Sequence, residues 1–481
     1  MKNILSKGLI ALLITIVFVA CKKDDSCSIS APVTGAFVED WGESTTIKFE
    51  TSNVETVTVT ATNGWSGVAN LATHTLTITA PESEDAENAG TKTAITLSAV
   101  SPGGAVSSAT VNAYIVPGIV DLSADGTSNC YIATSPNTRY RFNTGVKGES
   151  GGALATASID IVWQTHTPII RYLTLDNNGY ANFYVDYASG SETELREGNA
   201  LIGAYNSAGE LIWSWHIWLT NSDPRTEEGV ATYTNGVTFM ARNLGAAGNS
   251  AGSTATDDIL ASYGLYYQWG RKDPLPRPRY YNCAGSYNEA LYNGKNTAIY
   301  YSVEETDAKK GTVAYATANP LTMLIAPESN NGDWYYGGSN TLWSSSEKSV
   351  YDPCPKGWTV PDADAFTTLD IAEEDDNMDL EVAKKSFGWF LSDANGEKHF
   401  YTGAGYRSYF NGTISNVNYK DEYPYTPVPW IGYYWTTGVD GSNAIAMFFD
   451  LNTSRAAINA FSPKLSEHRA NAMQVRCVKV K

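Results

Sequence analysis

The chain has 481 residues, with 33 Lys and Arg against 51 Asp and Glu, and a formal net charge of −18. A surface this acidic repels nucleic-acid phosphates, so we expect no nucleic-acid partner. Hydrophobic residues make up 43% and aromatic residues 12% of the chain, which excludes a largely disordered protein. The length predicts about three domains of ordinary size.

The first 20 residues have the pattern of a secretory signal. Lys2 and Lys7 give a basic start, residues 9–20 are apolar, and a small residue precedes Cys21. This pattern resembles bacterial lipoprotein signals, which implies cleavage before the cysteine and lipidation of its thiol and new amino group. The apolar stretch is shorter than the ~20 residues that a spanning helix needs. We therefore expect a lipoprotein signal peptide over 1–20 and a lipid anchor on Cys21.

A short polar tether follows the cysteine. Residues 22–25 read Lys-Lys-Asp-Asp, which resembles the acidic export tag of surface lipoproteins in Bacteroidetes-type bacteria. The resemblance implies that the mature chain is held by lipid on an outer membrane and faces the exterior. Residues 21–30 are too short and too polar to form a domain, so they are predicted to be an acidic tether.

The segment 31–116 is predicted to be an immunoglobulin-like β-sandwich. Its short stretches alternate apolar and polar residues, as in 75–79, where Leu76 and Ile78 are separated by threonines. Turn signals such as Asn63-Gly64 punctuate the series, and regularly spaced short strands are typical of sandwiches. We interpret this segment as a spacer.

The segment 117–228 is predicted to be a second β-rich, sandwich-like domain. Its most unusual strand spans 210–220 and alternates two sets of side chains: Trp213, Trp215 and Ile217 on one face, and Ser214, His216 and Trp218 on the other. An aromatic row of this kind could stack on sugar rings. A run without charge in its centre more often marks a strand buried on both faces, so we favour a core strand with His216 as a hydrogen-bonded core residue.

The segment 229–481 carries an ordered set of sequence blocks. They are FMARNLG (239–245), GLYYQWGRKD (264–273), YDPCPKGWTVP (351–361), GYR (405–407), YWTT (434–437) and VRCVK (475–479). Together they resemble the Fibrobacter succinogenes major paralogous domain, a family of surface domains similar to the C-type lectin-like fold. The resemblance implies an α+β C-type lectin-like domain at the C-terminus of a chain that is otherwise mainly β.

The resemblance has two consequences for this segment. It implies a disulfide between Cys354 and Cys477, with two unlinked buried thiols as the alternative. It also raises calcium, because sugar-binding C-type lectins often hold the sugar through Ca²⁺. Their ligand triplets are absent here, and the oxygen-rich turns at 331–334 and 440–443 are explained first by turn chemistry. We therefore expect no cofactor, with Ca²⁺ as an open alternative.

Catalytic motifs give little support for an enzyme. The stretch 148–152 matches Gly-x-Ser-x-Gly but lacks the flanking strand and helix of a nucleophile elbow. The five histidines are scattered, no CxxC motif exists, and no pair of carboxylates is placed as in a glycosidase. We expect a non-enzyme without a zinc site. The sequence leaves the states of Cys27, Cys130 and Cys283 open.

Aromatic residues in Gly-, Asn- and Pro-rich loops are the candidate ligand contacts: Trp334, Tyr335, Tyr336, Tyr425 and Trp430. Such residues are suited to ring stacking, so we expect these loops to contact an extracellular glycan or a surface protein. The sequence thus favours a lipid-anchored surface protein with an adhesion or glycan-binding role. The alternative is a structural, tip or accessory subunit of a lipoprotein-derived pilus, which would need a donor strand or an open groove. A glycan-processing enzyme is the less favoured third interpretation.

Overall fold

The computed structural model describes residues 25–149, 151–281, 288–326, 330–372, 380–415, 431–451 and 461–480. The chain divides into two compact units, Met1–Pro117 and Gly118–Lys481. Strands dominate both units, which confirms the prediction of a mainly β fold. No helix within the described ranges is long and apolar enough to cross a membrane. The predicted signal peptide and Cys21 lie outside these ranges.

The first unit is a two-sheet sandwich. Its strands are β1 (Ser28–Ser30), β2 (Gly35–Val38), β3 (Ser44–Lys48), β4 (Glu50–Ser52), β5 (Thr56–Thr60), β6 (Ser66–Asn70), β7 (Thr75–Thr79), β8 (Lys92–Val100) and β9 (Val106–Ile115). One sheet has the order β2-β9-β8-β5, the other has the order β3-β7-β6, and β1 pairs with β4. Strand β7 buries Leu76 and Ile78, and these pack in one cluster with Ile95 and Leu97 of β8. The period-two pattern therefore faces a shared core, as predicted.

The second unit begins with two further sheets. Its first strands are β10 (Val120–Asp121), β11 (Cys130–Ala133), β12 (Thr138–Asn143), β13 (Ser158–Gln164), β14 (Arg171–Leu175), β15 (Tyr180–Val185), β16 (Gly198–Tyr205) and β17 (Leu211–Leu219). Strands β10, β12, β15 and β14 form one sheet, and β11, β17, β16 and β13 belong to another. The two sheets enclose a core in which Trp215 of β17 contacts Phe142 of β12, with ring centroids 5.3 Å apart.

The remainder of the second unit consists mainly of short strands, antiparallel hairpins and short helices. Its elements are β18 (Ala231–Thr232), β19 (Thr238–Phe239), α1 (Thr256–Ser262), β20 (Tyr267–Gln268), β21 (Leu291–Tyr292), β22 (Ala298–Ile299), β23 (Ser302–Glu305), α2 (Val313–Ala318), β24 (Thr322–Ile325), β25 (Trp358–Thr359), β26 (Asp370–Ile371), α3 (Leu380–Ser386), β27 (Gly388–Ser392), β28 (Lys398–Thr402), β29 (Tyr406–Arg407), β30 (Ile414–Ser415), β31 (Ile431–Asp440), β32 (Asn443–Asp450), β33 (Phe461–Glu467), β34 (Ala472–Met473) and β35 (Val478–Lys479). Helix α2 begins after Thr312, whose hydroxyl accepts a hydrogen bond from the Tyr315 backbone at 3.1 Å and so caps the helix.

The two segments predicted as separate domains, 117–228 and 229–481, share one fold within this unit. Strands β21 and β22 of the later segment extend the sheet of the earlier one, because Tyr292 pairs with Gln164 of β13. Strand β17 is buried on both faces, as predicted. Its Trp218 packs in one cluster with Trp269 and Trp343 of the later segment. The core is therefore continuous across residue 228.

Buried polar contacts reinforce this continuity. The Ser214 hydroxyl of β17 donates to Asp273 Oδ1 at 2.6 Å, and Lys272 Nζ donates to the Ser214 carbonyl at 3.0 Å. The Asn129 amide donates to the carbonyl of Asp352 at 2.8 Å. Each of these bonds is buried, so the two segments are joined by satisfied polar contacts as well as by apolar packing.

The disulfide between Cys354 and Cys477 is present. It lies beside the antiparallel pair of β25 and β35, in which Trp358 is opposite Lys479 and Thr359 is opposite Val478. Both cysteines are buried in the cluster that contains Trp269. The bond therefore joins the start of the β25 segment to the last strand of the chain. Cys283 lies outside the described residues.

Candidate functional site

A polar surface pocket with a volume of about 470 Å³ lies at one end of the β31–β32 hairpin. Its lining residues are Asn330, Asn331, Asp333, Tyr335, Tyr336, Gly337, Gly338, Ser339, Asn340, Gly441, Ser442 and Arg469. They come from the loop at 330–340, from the hairpin turn, and from the segment after β33. The pocket thus brings together both predicted oxygen-rich turns and two of the predicted aromatic contacts.

The loop is shaped by local hydrogen bonds. Asp333 Oδ1 accepts from the Tyr335 backbone at 2.9 Å, and the Asn330 side chain donates to the Asp333 carbonyl at 2.5 Å. Asn331 has φ 53° and Gly332 has φ 64°. A Cβ on Gly332 would lie 2.4 Å from His468 Nδ1, so glycine is required by both conformation and space. Asn-Gly-Asp is therefore a turn sequence here, as turn chemistry predicts.

Arg469 joins the three parts of the pocket. Its Nη1 donates to the Ser339 carbonyl at 2.7 Å and lies 3.3 Å from Asp333 Oδ2. Its Nη2 donates to the carbonyl of Gly441 at 3.1 Å. The guanidinium carbon lies 4.6 Å from the centroid of the Trp269 ring. Only 2% of the side chain is exposed, so this arginine forms the floor of the pocket.

Tyr336 and Tyr335 provide the aromatic part of the lining. Tyr336 is 53% exposed, and its backbone is fixed by a 2.9 Å hydrogen bond from its N–H to the Gly311 carbonyl. Tyr335 is half-buried, and its ring centroid lies 5.8 Å from that of Trp334. Tyr336 therefore presents a ring on a backbone that is held in place, which suits stacking.

Trp334 is a core residue, which corrects its assignment as a ligand contact. It is 1% exposed, and its indole N–H donates to the Trp269 carbonyl at 2.7 Å. The guanidinium carbon of Arg271 lies 5.8 Å from the ring centroid. The glycine-rich neighbours form the exposed loop, whereas the tryptophan anchors that loop from beneath. Tyr425 and Trp430 lie outside the described residues.

Calcium coordination by this pocket does not fit its contacts. Within the described ranges, no group of three or more His, Cys, Asp or Glu side chains is close enough to hold a metal ion. The one carboxylate in the lining belongs to Asp333, and both of its oxygens are already bonded, to the Tyr335 backbone and to Arg469. Burial raises the pKa of this carboxyl group from its ordinary value.

His216 is a hydrogen-bonded core residue, as predicted, but the sequence did not identify its two buried partners. Cys130 Sγ lies 3.4 Å from His216 Nδ1, and His216 Nε2 lies 2.8 Å from Asn199 Oδ1. The three residues are 0%, 1% and 2% exposed, in that order. Burial raises the pKa of Cys130 to about 12 and lowers that of His216 to about 3. Cysteine nucleophiles need an accessible thiolate. The buried contacts among Cys130, His216 and Asn199 therefore stabilise the core rather than perform catalysis.

No protein-family model matches the chain, and no curated protein is significantly similar to it. Among solved structures, the D00-D0 domain of intimin aligns over 40% of this chain and 96% of its own, with 11% identity and a TM-score of 0.16. The SGBP-B protein of a Bacteroides ovatus mixed-linkage glucan utilization locus, solved with a heptasaccharide, aligns over 40% of this chain and 44% of its own, with 11% identity and a TM-score of 0.13. A 1.5-MDa bacterial ice-binding adhesin aligns over 41% of this chain and 66% of its own, with 13% identity and a TM-score of 0.15. At such TM-scores the alignments carry no argument about function.

Proposed function

We propose that this chain is a non-enzymatic cell-surface protein that binds an extracellular glycan through the pocket at Tyr336. The observation that carries the proposal is the combination of an exposed tyrosine ring with amide, hydroxyl and backbone groups around about 470 Å³ of space. Sugars present both flat C–H faces and hydroxyl edges, and this lining offers partners for both. The volume falls within the ~300–1,000 Å³ of small-molecule sites.

The chemistry of the pocket supports binding rather than turnover. Hydrolysis of a glycosidic bond needs two carboxyl groups on opposite sides of the bond. Within the described lining, Asp333 supplies one carboxyl group, and Arg469 is bonded to it. The Cys130–His216 pair is enclosed in the core and has no access to a substrate. Both features support a protein that holds its ligand without changing it.

The sequence supports placing this binding function on a cell surface. The signal pattern over 1–20 and Cys21 favours a lipid anchor on an outer membrane, with the chain facing the exterior. The sandwich formed by the first unit follows the tether in the chain and is suited to act as a spacer. The resemblance of the blocks between 239 and 479 to the Fibrobacter succinogenes major paralogous domain supports the same location. Adhesion or glycan capture is the resulting role.

A glycan array tests the proposal. We would apply the chain from residue 25 onward, which retains both units, and compare it with Tyr336→Ala and Tyr300→Ala. Tyr300 is 88% exposed and lines a different cavity, so it is a matched tyrosine control. Removing a central aromatic contact costs at least ~1.4 kcal/mol, so Tyr336→Ala should weaken binding about tenfold or more.

Three other results would count against this assignment. Loss of binding in Tyr300→Ala but not in Tyr336→Ala would move the site to the other cavity. If the parent chain and both variants are folded but bind no glycan on the array, glycan recognition is rejected. Polymerisation through a partner's terminal strand would favour the pilus subunit instead.

A further inference from the structure

Five oxygen atoms from the loop at 330–340 and the hairpin turn at 440–443 converge on the guanidinium of Arg469. They are Asp333 Oδ2 at 3.3 Å, the Ser339 carbonyl at 2.7 Å, Asn340 Oδ1 at 2.5 Å, the Gly441 carbonyl at 3.1 Å and the Asn443 carbonyl at 3.1 Å. We call this set the oxygen cage. It contains a carboxylate, an amide and backbone carbonyls, which are the ligand types that Ca²⁺ takes in proteins.

The guanidinium uses all of its donors on this cage. Nη1 bonds to Asp333 and Ser339, and Nη2 bonds to Asn340 and Gly441. Nε donates to the Asn443 carbonyl at 3.2 Å. Because a guanidinium has five N–H groups, none remains for a ligand. The Trp269 ring lies beneath the group and completes its enclosure.

We propose that Arg469 is the resident cation of this pocket, replacing a metal ion, so that the pocket takes an uncharged glycan without calcium. The guanidinium fixes the 330–340 loop against the hairpin turn, which is the positioning role that a bound ion has in a calcium-dependent site. The choice of an uncharged ligand rests on the proposed function, whereas the role of Arg469 as the cation does not.

The charges of the lining support an uncharged ligand. Arg469 and Asp333 are 2% and 7% exposed in their side chains and are paired with each other. A uronic or sialic acid carboxylate would meet no unused arginine donor, and it would lie close to the Asp333 carboxyl group. Hydroxyl groups of a neutral sugar can instead use Tyr336, Asn331 and Ser442 at the rim.

Thermal unfolding of the full chain in CaCl₂ and in EDTA tests the role of Arg469. The parent chain should unfold at the same temperature in both. Arg469→Ala should unfold several degrees lower in EDTA, because it leaves the buried Asp333 without its cation. CaCl₂ or methylguanidinium should raise the midpoint of this variant, since a ligand that binds only the folded state stabilises it. The control is Arg279→Ala, which removes an exposed arginine and should change neither midpoint.

Each alternative result overturns the inference. Stabilisation of the parent chain by Ca²⁺ would show that the pocket needs a metal. Unfolding of Arg469→Ala at the parent temperature would show that the guanidinium does not hold the turns. If neither Ca²⁺ nor methylguanidinium raises the unfolding midpoint of Arg469→Ala, the oxygen cage is not a cation site. If Arg469→Ala does not fold, Arg469→Lys replaces it in the test. Lysine keeps the charge but has three N–H donors instead of five, so this variant should fold and unfold at a temperature below that of the parent chain.

Binding in EDTA tests the ligand class separately. Neutral glycans that bind the parent chain should bind equally in EDTA and in CaCl₂, and acidic glycans should bind at least tenfold more weakly. Preferential binding of acidic glycans would overturn the uncharged-ligand assignment while leaving the thermal result intact. Absence of all glycan binding would instead reject the proposed function, so the two failures are distinguishable.

Discussion

The Cys130 thiol lies 3.4 Å from Nδ1 of His216, across the parallel pair of β11 and β17. The amide nitrogen of Asn199 donates to the Gly245 carbonyl at 2.9 Å, which turns the amide oxygen toward His216 Nε2. Nε2 therefore carries the proton, and Nδ1 accepts from the thiol. The pair is a neutral thiol with a neutral imidazole, which is the opposite of the thiolate and imidazolium used by cysteine nucleophiles.

Cys130 should consequently resist alkylation in the folded chain. Burial raises its pKa to about 12, so at pH 8 the reactive thiolate is almost absent. We expect iodoacetamide to leave Cys130 unmodified in native protein and to modify it completely in denaturant, as measured by peptide mass spectrometry. Cys27 is partly exposed and gives the reference rate. Native alkylation of Cys130 at the rate of Cys27 would contradict the enclosed network.

Glu467 gives a prediction about pH. Burial raises the pKa of this carboxyl group to about 7, although the Asn471 amide and the His468 backbone oppose the shift. The folded chain then keeps a proton that the unfolded chain has lost, so stability falls as pH rises from the ordinary glutamate pKa to about 7. Glu467→Gln should remove this loss and so raise the free energy of unfolding by about 3 kcal/mol at pH 8.

Denaturant unfolding at pH 4.5, 6 and 8 measures the effect of Glu467→Gln. The matched control is Glu305→Gln, which neutralises an exposed carboxylate on β23 and should leave the pH profile unchanged. Parallel pH profiles for Glu467→Gln and the parent chain would reject the raised pKa.

The disulfide between Cys354 and Cys477 should supply a large part of the stability of the second unit. The two cysteines are 123 residues apart, and in the chain-entropy model closing a loop of that length stabilises the folded state by about 4–5 kcal/mol. The double variant Cys354→Ala and Cys477→Ala should lose about this amount in denaturant unfolding. Dithiothreitol should destabilise the parent chain but not the double variant. Equal stability of the two chains would contradict the prediction.

Substitutions of Trp334 and Tyr336 should distinguish an effect on stability from an effect on glycan binding. Trp334→Ala removes a fully buried ring and should cost about 3–5 kcal/mol of unfolding free energy. Tyr336→Ala removes an exposed ring and should change stability by less than about 0.5 kcal/mol. Chemical denaturation of both variants measures the difference. A destabilised Tyr336→Ala would mean that its ring supports the loop, and its loss of glycan binding would then no longer identify a contact.

These contrasts show what the sequence could and could not predict. The charge-free run in β17 correctly indicates burial on both faces, because that signal is local. The partners that satisfy the buried Ser214 hydroxyl, Lys272 and Asp273, lie 58 and 59 residues later and have no local signal in the sequence. Trp334 has loop-like neighbours, yet its direction is set by Trp269, which lies 65 residues earlier. Side-chain direction and long-range partners therefore required the structure.

The same distinction applies to the candidate site. Loop composition indicates Tyr335, Tyr336 and the two oxygen-rich turns, and the pocket unites them. Nothing near Arg469 in the sequence indicates that it is buried beneath the pocket, because a single arginine after a strand is equally compatible with a solvated surface. Its role depends on five oxygen atoms from residues between 333 and 443. Convergence of this kind is a property of the fold, and no spacing rule predicts it.

The continuity of the second unit leads to the last prediction. Residues 118–228 and 229–481 share the sheet that joins β13 to β21, and they share the cluster around Trp218 and Trp269. A fragment limited to 229–481 would expose this cluster, and it would leave the Lys272–Asp273 pair without Ser214. We therefore expect the fragment 118–481 to be monomeric and to unfold in one sharp transition.

The fragment 229–481 should instead bind a dye for exposed apolar surface, unfold without a sharp transition and aggregate on heating. Calorimetry and light scattering on the two fragments make the comparison, with the full chain as the control. If 229–481 unfolds cooperatively at the midpoint of 118–481, the core shared across residue 228 contributes little stability. The blocks between 239 and 479 would then define an independent domain, as their order in the sequence suggests.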